Sequence, residues 1–245
     1  MPTPTVITAS APALERALAD AIRDAKTDDP LAPVTVLVGG TLLRPYLQRR
    51  MATLLGGHAN VAFVTAAELA LQLGEQQLVA AGRLPMPPLA ARILAGEVAR
   101  DTPGYFEPVA HTTGFTNALH RVIRELTQAG ISAAAFADAA SSLPGTGAKH
   151  DALAALYAGY EARRADWYGP DECLLAADPA RLETNLLVLH GVWELSGGLQ
   201  DALAAVAERL PVLVLLPDGS EDAHDGGLAS VCNWCTSVGA TTTAP

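Results

Sequence analysis

The chain has 245 residues, 50% of them hydrophobic, enough to bury one large core or two modest ones, which excludes global disorder. Its net charge of −10, from 26 acidic against 16 basic residues, excludes a protein that grips nucleic acid by bulk attraction, so any such contact must be local. No apolar run reaches the ~18 to 20 residues that span a bilayer, Met1 to Ile7 has neither the basic start nor the apolar stretch of a secretory signal, and three cysteines cannot build a disulfide framework; a cytoplasmic protein with no membrane partner is expected.

In chain order, Thr5 to Thr8 predicts a first strand, and Leu14, Leu18, Ala21 and Ile22 predict an amphipathic helix from Ala13 to Asp24 directly after it. Val34 to Val38, closed by Gly39-Gly40, is a buried strand, and Leu42 to Leu55 a helix ended by Gly56-Gly57. Arg44, Arg49 and Arg50 point in three directions around that helix, so they form no single phosphate-gripping face. Val61 to Thr65 is a short strand, and Ala66 to Gly74 starts a helix. From Gln77 to Glu183 the strand signal disappears and helical periodicity dominates, most clearly from Phe115 to Ala129, with Thr113 as the expected cap and Gly130 as the stop. A second helix, Asp151 to Arg164, places Leu153, Leu156, Tyr157 and Tyr160 on one face. Leu186 to Leu189 and Val212 to Leu216 are again short aliphatic runs, joined by a helix from Leu199 to Leu210, and such a unit predicts two parallel strands of one sheet. The tail from Asp218 holds a loop and a weak helix around Ser230 to Val238, then breaks off without a closing element.

The places where chemistry would sit are bare. A strand running straight into a helix is where a phosphate-binding loop belongs, and that loop needs Gly backbone amides and a Lys. Ala9 to Leu14 supplies neither, and Gly145 to Lys149 reads as a flexible turn. In a nucleotide-driven motor the strand at Leu186 to Leu189 would end in carboxylates that hold Mg²⁺; here His190-Gly191 follow. Cys232 and Cys235 have metal or redox spacing, but only the remote Cys173 and His224 could complete a zinc site. Ser196, Asp218 or Asp222, and His224 follow the chain order of a hydrolase triad, yet Glu194 stands where the nucleophile elbow requires a small residue. No catalytic residue, metal ligand or cofactor is assigned.

Pro33 to Val38 with the following Leu43 to Arg50, Asn60 to Thr65, Pro87 to Arg92, Gly104 to Val109 with Thr113 to Phe115, Leu119 to Leu126 with Ala129-Gly130, and Leu156-Tyr157 with Tyr160-Glu161 form a set of packing motifs. Together they resemble the N-terminal region of AddB-type subunits of ATP-dependent helicase/nucleases, in the PD-(D/E)xK nuclease family. The resemblance implies an α/β fold, the parallel sheet of a degenerate P-loop (superfamily 1 helicase-like) core interrupted by a helical insertion domain. Residues 1–72 would be the first half of the core, 73–185 the insertion and 186–245 the second part of the core. It further implies a scaffold beside DNA that has lost ATP hydrolysis, and an AddA-type helicase/nuclease partner subunit. The family's C-terminal nuclease has no counterpart in this sequence, so a truncated product and a separate domain both stay open. The alternative reading is an unrelated α/β protein-binding or scaffold module.

If the chain touches DNA, the expected contact is one helix face carrying Asn117, Arg121, Arg124 and Gln128, all able to donate hydrogen bonds to phosphate oxygens. Glu125, four residues from Arg121, offers that arginine a local partner instead.

Overall fold

The computed structural model describes residues 2–87, 89–102, 104–142, 147–218 and 228–243, which divide into two compact units, Met1–Leu73 with Ala177–Pro245, and Gly74–Ala176. In the first unit the aliphatic runs become strands because branched side chains fit a pleated sheet buried on both faces. These are β1 (Thr5–Ala9), β2 (Val34–Val38), β3 (Val61–Val64), β6 (Leu186–His190) and β7 (Val212–Pro217), joined by a last strand, β8 (Thr241–Thr243). They form one six-stranded sheet in the order β3-β2-β6-β7-β1-β8, and every described pairing is parallel. Val34 pairs with Leu186 and Val38 with His190, so the runs on either side of the long helical stretch are direct neighbours.

The order dictates the layers. Helix α1 (Ala11–Ala25) carries the chain from β1 to β2 and α2 (Leu43–Leu55) from β2 to β3, both crossing the sheet in one direction. Helix α9 (Gly197–Ala207) joins β6 to β7 and α10 (Ala229–Ser237) lies between β7 and β8, both in the other direction. Right-handed crossovers then put the two pairs on opposite faces. Accordingly Leu14, Leu18, Ile22, Leu47 and Met51 of α1 and α2 pack in one core with Val36, Val188 and Leu215. Alternation along the strands turns Leu37, Leu187 and Val214 to the other face, where Leu203, Val206, Val231 and Trp234 are buried and Trp234 Nε1 donates to Gln200 O at 3.0 Å.

Two corrections concern ends. The tail does close: Thr241–Thr243 pairs in parallel with Thr5–Ile7 at the sheet edge. A fully exposed three-residue strand needs no apolar run, so the pattern that reveals β2 or β7 is absent from it. Helix α5 (Thr113–Gln128) is capped by Thr112, whose hydroxyl accepts from Phe115 N at 3.2 Å, one residue before the expected Thr113.

The second unit adds α4 (Ala90–Asp101), α6 (Ala133–Ser142), α7 (Gly147–Arg163) and α8 (Pro170–Leu175) to α5, around a core of Ala95, Val98, Leu119, Ile123, Leu156, Tyr157 and Tyr160. It also contains a parallel pair of two-residue strands, β4 (Leu84–Pro85) and β5 (Trp167–Tyr168), too short to register as an alternating pattern. The remaining long helix, α3, runs from Ala66 to Ala80.

Candidate functional site

Parallel sheets bind ligands beyond the carboxyl ends of their strands, where neighbouring strands send their connections in opposite directions. Here β2 leads outward to β3 while β6 leads the other way to β7, so this divergence falls between β2 and β6. A cleft of ≈ 400 Å³ opens at that point, lined by Gly39, Gly40, Thr65, Val192, Trp193 and Leu199 among others. Gly39 N donates to His190 O at 3.3 Å, and an added Cβ on Gly39 would lie 1.7 Å from Gly191 O. Gly191 itself has φ +65, a left-handed conformation that favours glycine. The two strand ends thus approach through bare backbone. Trp193 keeps 55% of its surface exposed beside the cleft.

The cleft carries little chemistry. Its lining includes one carboxylate residue, the exposed Glu194, and next to the lining residue Thr65 a second, Glu68, accepts from Thr65 N at 2.7 Å, from Thr65 Oγ1 at 2.9 Å and from Arg44. The Thr65 amide above all, with the Arg44 guanidinium, holds Glu68 below the usual carboxylate range against the opposing effect of burial. Three donors converge on Glu68 Oε2, which lowers the basicity of the carboxylate and makes it a weak base. Among the described residues no group of three or more His, Cys, Asp or Glu is placed to hold a metal ion.

At the expected phosphate-loop position β1 feeds α1 through Ser10 alone, and Ser10 O accepts from Ala13 N at 2.9 Å and Leu14 N at 3.0 Å. The strand therefore turns into helix with no intervening loop. His190, at the end of β6, lies in register between Val38 and Leu215 on the face covered by α1 and α2. It is 9% exposed, and neither ring nitrogen has a partner among the described residues. Above it Glu15, 6% exposed, accepts from Tyr46 Oη through one oxygen and from Arg50 Nε at 2.7 Å through the other. Of the three arginines in α2, Arg44 thus serves Glu68 and Arg50 serves Glu15, and Arg49 is exposed.

The face of α5 is brought together in part. Asn117, Arg121 and Arg124 are exposed and Gln128 is half-buried. Arg121 Nε lies 3.8 Å from Glu125 Oε1, the local pairing anticipated above. Arg124 Nε lies 3.7 Å from Asp171 Oδ2, and Gln128 Nε2 donates to Asp171 Oδ1 at 3.0 Å. These two residues converge on an acidic side chain of α8 that sequence reading missed. The available signal was Gly169-Pro170-Asp171-Glu172, a helix start with Pro in its first turn and acids behind it.

Behind Arg124 a cavity of ≈ 220 Å³ is lined by His120, Tyr160, Arg164, Asp171 and Glu172 over an apolar floor of Met86 and Ile123. Arg164 pairs with Glu172, their side chains 11% and 12% exposed, and the guanidinium lies 5.4 Å from the Tyr160 ring centroid. Burial pushes the Asp171 carboxyl up, and burial followed by the nearby Arg124 pushes the His120 imidazole down. Two arginines face two carboxylates, so the cavity is neutral as built and its charges tie α8 to α5 and to the residue that follows α7.

Among the described residues the other sequence candidates form no metal-holding group. Cys235 is buried in α10 and its thiol is pushed up to about 11 by burial, the opposite of an activated thiolate. Ser196 stands at the N-cap of α9. Gly145, Asp222 and His224 lie outside the described residues, while Gly147 to Lys149 already belong to α7. No protein-family model matches the chain, and no curated protein matches it either.

Proposed function

We propose that this chain is a non-catalytic, helicase-like scaffold region of a DNA-end-processing helicase/nuclease, with a degenerate P-loop core and the helical unit as its insertion domain. The observation that carries the reading is the junction of β1 and α1. The strand whose end should cradle phosphate enters its helix through Ser10 alone, and β6, two strands away in the same parallel sheet, ends in His190-Gly191 in place of carboxylates. A motor's strand layout without its phosphate cradle or Mg²⁺ ligands suits a part that positions DNA or a partner subunit while another subunit hydrolyses ATP. Isothermal titration of the purified chain with Mg·ATP should give no binding heat up to about millimolar nucleotide, because neither backbone cradle nor Lys is present to hold phosphate. A micromolar site would overturn the reading.

Contact with DNA on this proposal is local, and α5 supplies its cations. Changing Arg121 and Arg124 together to Ala should lower the salt slope of forked-duplex binding by about one to two units, since each phosphate contact releases roughly one counterion. Fluorescence anisotropy at several salt concentrations reads the slope. Equal slopes would assign the face, with its adjacent Glu125 and Asp171, to solvent or protein. The alternative, a protein-binding α/β module, is favoured by Leu42, 88% exposed, and Trp193, both on loops at the carboxyl edge of the sheet. It predicts partner binding with no affinity for forked DNA.

A further inference from the structure

We propose that His190 and Glu15 form a proton-operated latch on helix α2, in which an imidazolium at His190 takes up an oxygen of Glu15 and loosens the hold of Tyr46 on that carboxylate. This inference does not depend on the functional reading above. Its basis is an imbalance in one buried cluster. Both oxygens of Glu15 are engaged by α2, through Tyr46 and Arg50, while His190 beneath has two buried ring nitrogens and no partner among the described residues. A buried polar group with no partner is costly, and the arrangement is stable only while the imidazole is neutral. Burial keeps it so by holding the imidazole below its ordinary value, against the pull of Glu15.

The charged and titratable groups that face His190 are few. From α1 comes Glu15, to which Tyr46 and Arg50 of α2 are bonded, and the flanking strand positions are the apolar Val38 and Leu215. When a proton arrives, the Glu15 carboxylate is the anionic acceptor of this group and draws the imidazolium most strongly. Arg50 is charged and cannot follow the proton, so the neutral Tyr46 hydroxyl is the partner that yields. The movement reaches the surface because the first residue of α2 packs against the turn after His190: an added Cβ on Gly191 would lie 2.5 Å from Leu43 Cδ2. That turn walls the strand-edge cleft, so acidification should alter its mouth.

The sign of the linkage is fixed. Since the folded imidazole titrates below its unfolded value, the stability contributed by neutral His190 is complete above about pH 6.5 and is lost as pH falls toward the folded value. The test is an NMR titration of the whole chain, following the His190 and Tyr46 ring signals from about pH 8 to about pH 5, a span that brackets the ordinary imidazole value. In the native protein the Tyr46 signals should move with the His190 midpoint. Glu15→Gln should shift that midpoint to lower pH, by about one unit or tenfold in proton affinity, and leave Tyr46 insensitive to pH. Tyr46→Phe, a mild change at a partly exposed ring, should raise the midpoint, because Glu15 is then freer to meet the imidazolium. A His190 that stays neutral down to about pH 5, well under the ordinary imidazole value, would overturn the proposal. So would Tyr46 signals that ignore the His190 midpoint, or a Tyr46→Phe midpoint equal to that of the native protein.

Discussion

Gly39→Ala should destabilise the parallel sheet by more than about 4 kcal/mol, a loss found only where a change creates severe strain or breaks a buried network. The new methyl carbon would lie 1.7 Å from Gly191 O and 2.6 Å from its carbonyl carbon, a collision with backbone and so one that no rotamer relieves. Escape requires β2 and β6 to separate where Val38 pairs with His190, at the carboxyl ends of two interior strands. Gly40→Ala is the control, because a Cβ there meets nothing within 4 Å, and it should change stability by less than about 0.5 kcal/mol, as surface substitutions do. Urea denaturation followed by circular dichroism measures both. A Gly39→Ala chain within about 1 kcal/mol of the native one, an ordinary mutational effect, would show that β2 and β6 do not meet through bare backbone.

Glu172→Gln should cost the helical unit about 3 kcal/mol, the loss expected when one partner of a buried ion pair is removed. Arg164, 11% exposed over the Tyr160 ring, would lose its direct ionic partner and keep only Asp171, which is shared with Arg124, as a countercharge. The substitution isolates that effect. Gly169 N, which donates to Glu172 Oε2 at 2.7 Å, can still be accepted by the amide oxygen of Gln. Changing Arg164 and Glu172 together to Leu should restore most of the loss, since replacing both charges by apolar groups removes the uncompensated one. Hydrogen exchange of amides in α5, α7 and α8 reports on this unit by itself. Equal protection in the native chain and in the Glu172→Gln chain would mean that the pair is solvated and contributes little.

The elements legible in the sequence are those whose burial writes a local pattern. β2, β6 and β7 are covered on both faces and so read as mostly aliphatic runs, broken only by Thr35 and by His190 and Pro217 at strand ends, and α5 buries Leu119 and Ile123 at helical spacing. Bareness was legible too: Ala9 to Leu14 lacks Gly and Lys whatever surrounds it, and His190-Gly191 cannot ligate Mg²⁺ as paired carboxylates would. Elements without an apolar signature were not legible. β8 is an exposed edge of threonines, β4 and β5 have two residues each, and the choice between Thr112 and Thr113 as cap turns on a single hydrogen bond.

The candidate sites were the least legible, because each is made by chain segments far apart in sequence. Asp171 meets Arg124 and Gln128 only when α8 docks against α5, and the Glu15 charge acts on His190 only when α1 crosses the sheet to reach β2. The sequence by itself determined the periods, the turns and the missing chemistry, which depend on neighbours within a few residues. Only the tertiary structure decided the strand order, and with it the cleft between β2 and β6. The physical reason is that connection handedness and side-chain packing, acting over long chain separations, select which strands become neighbours.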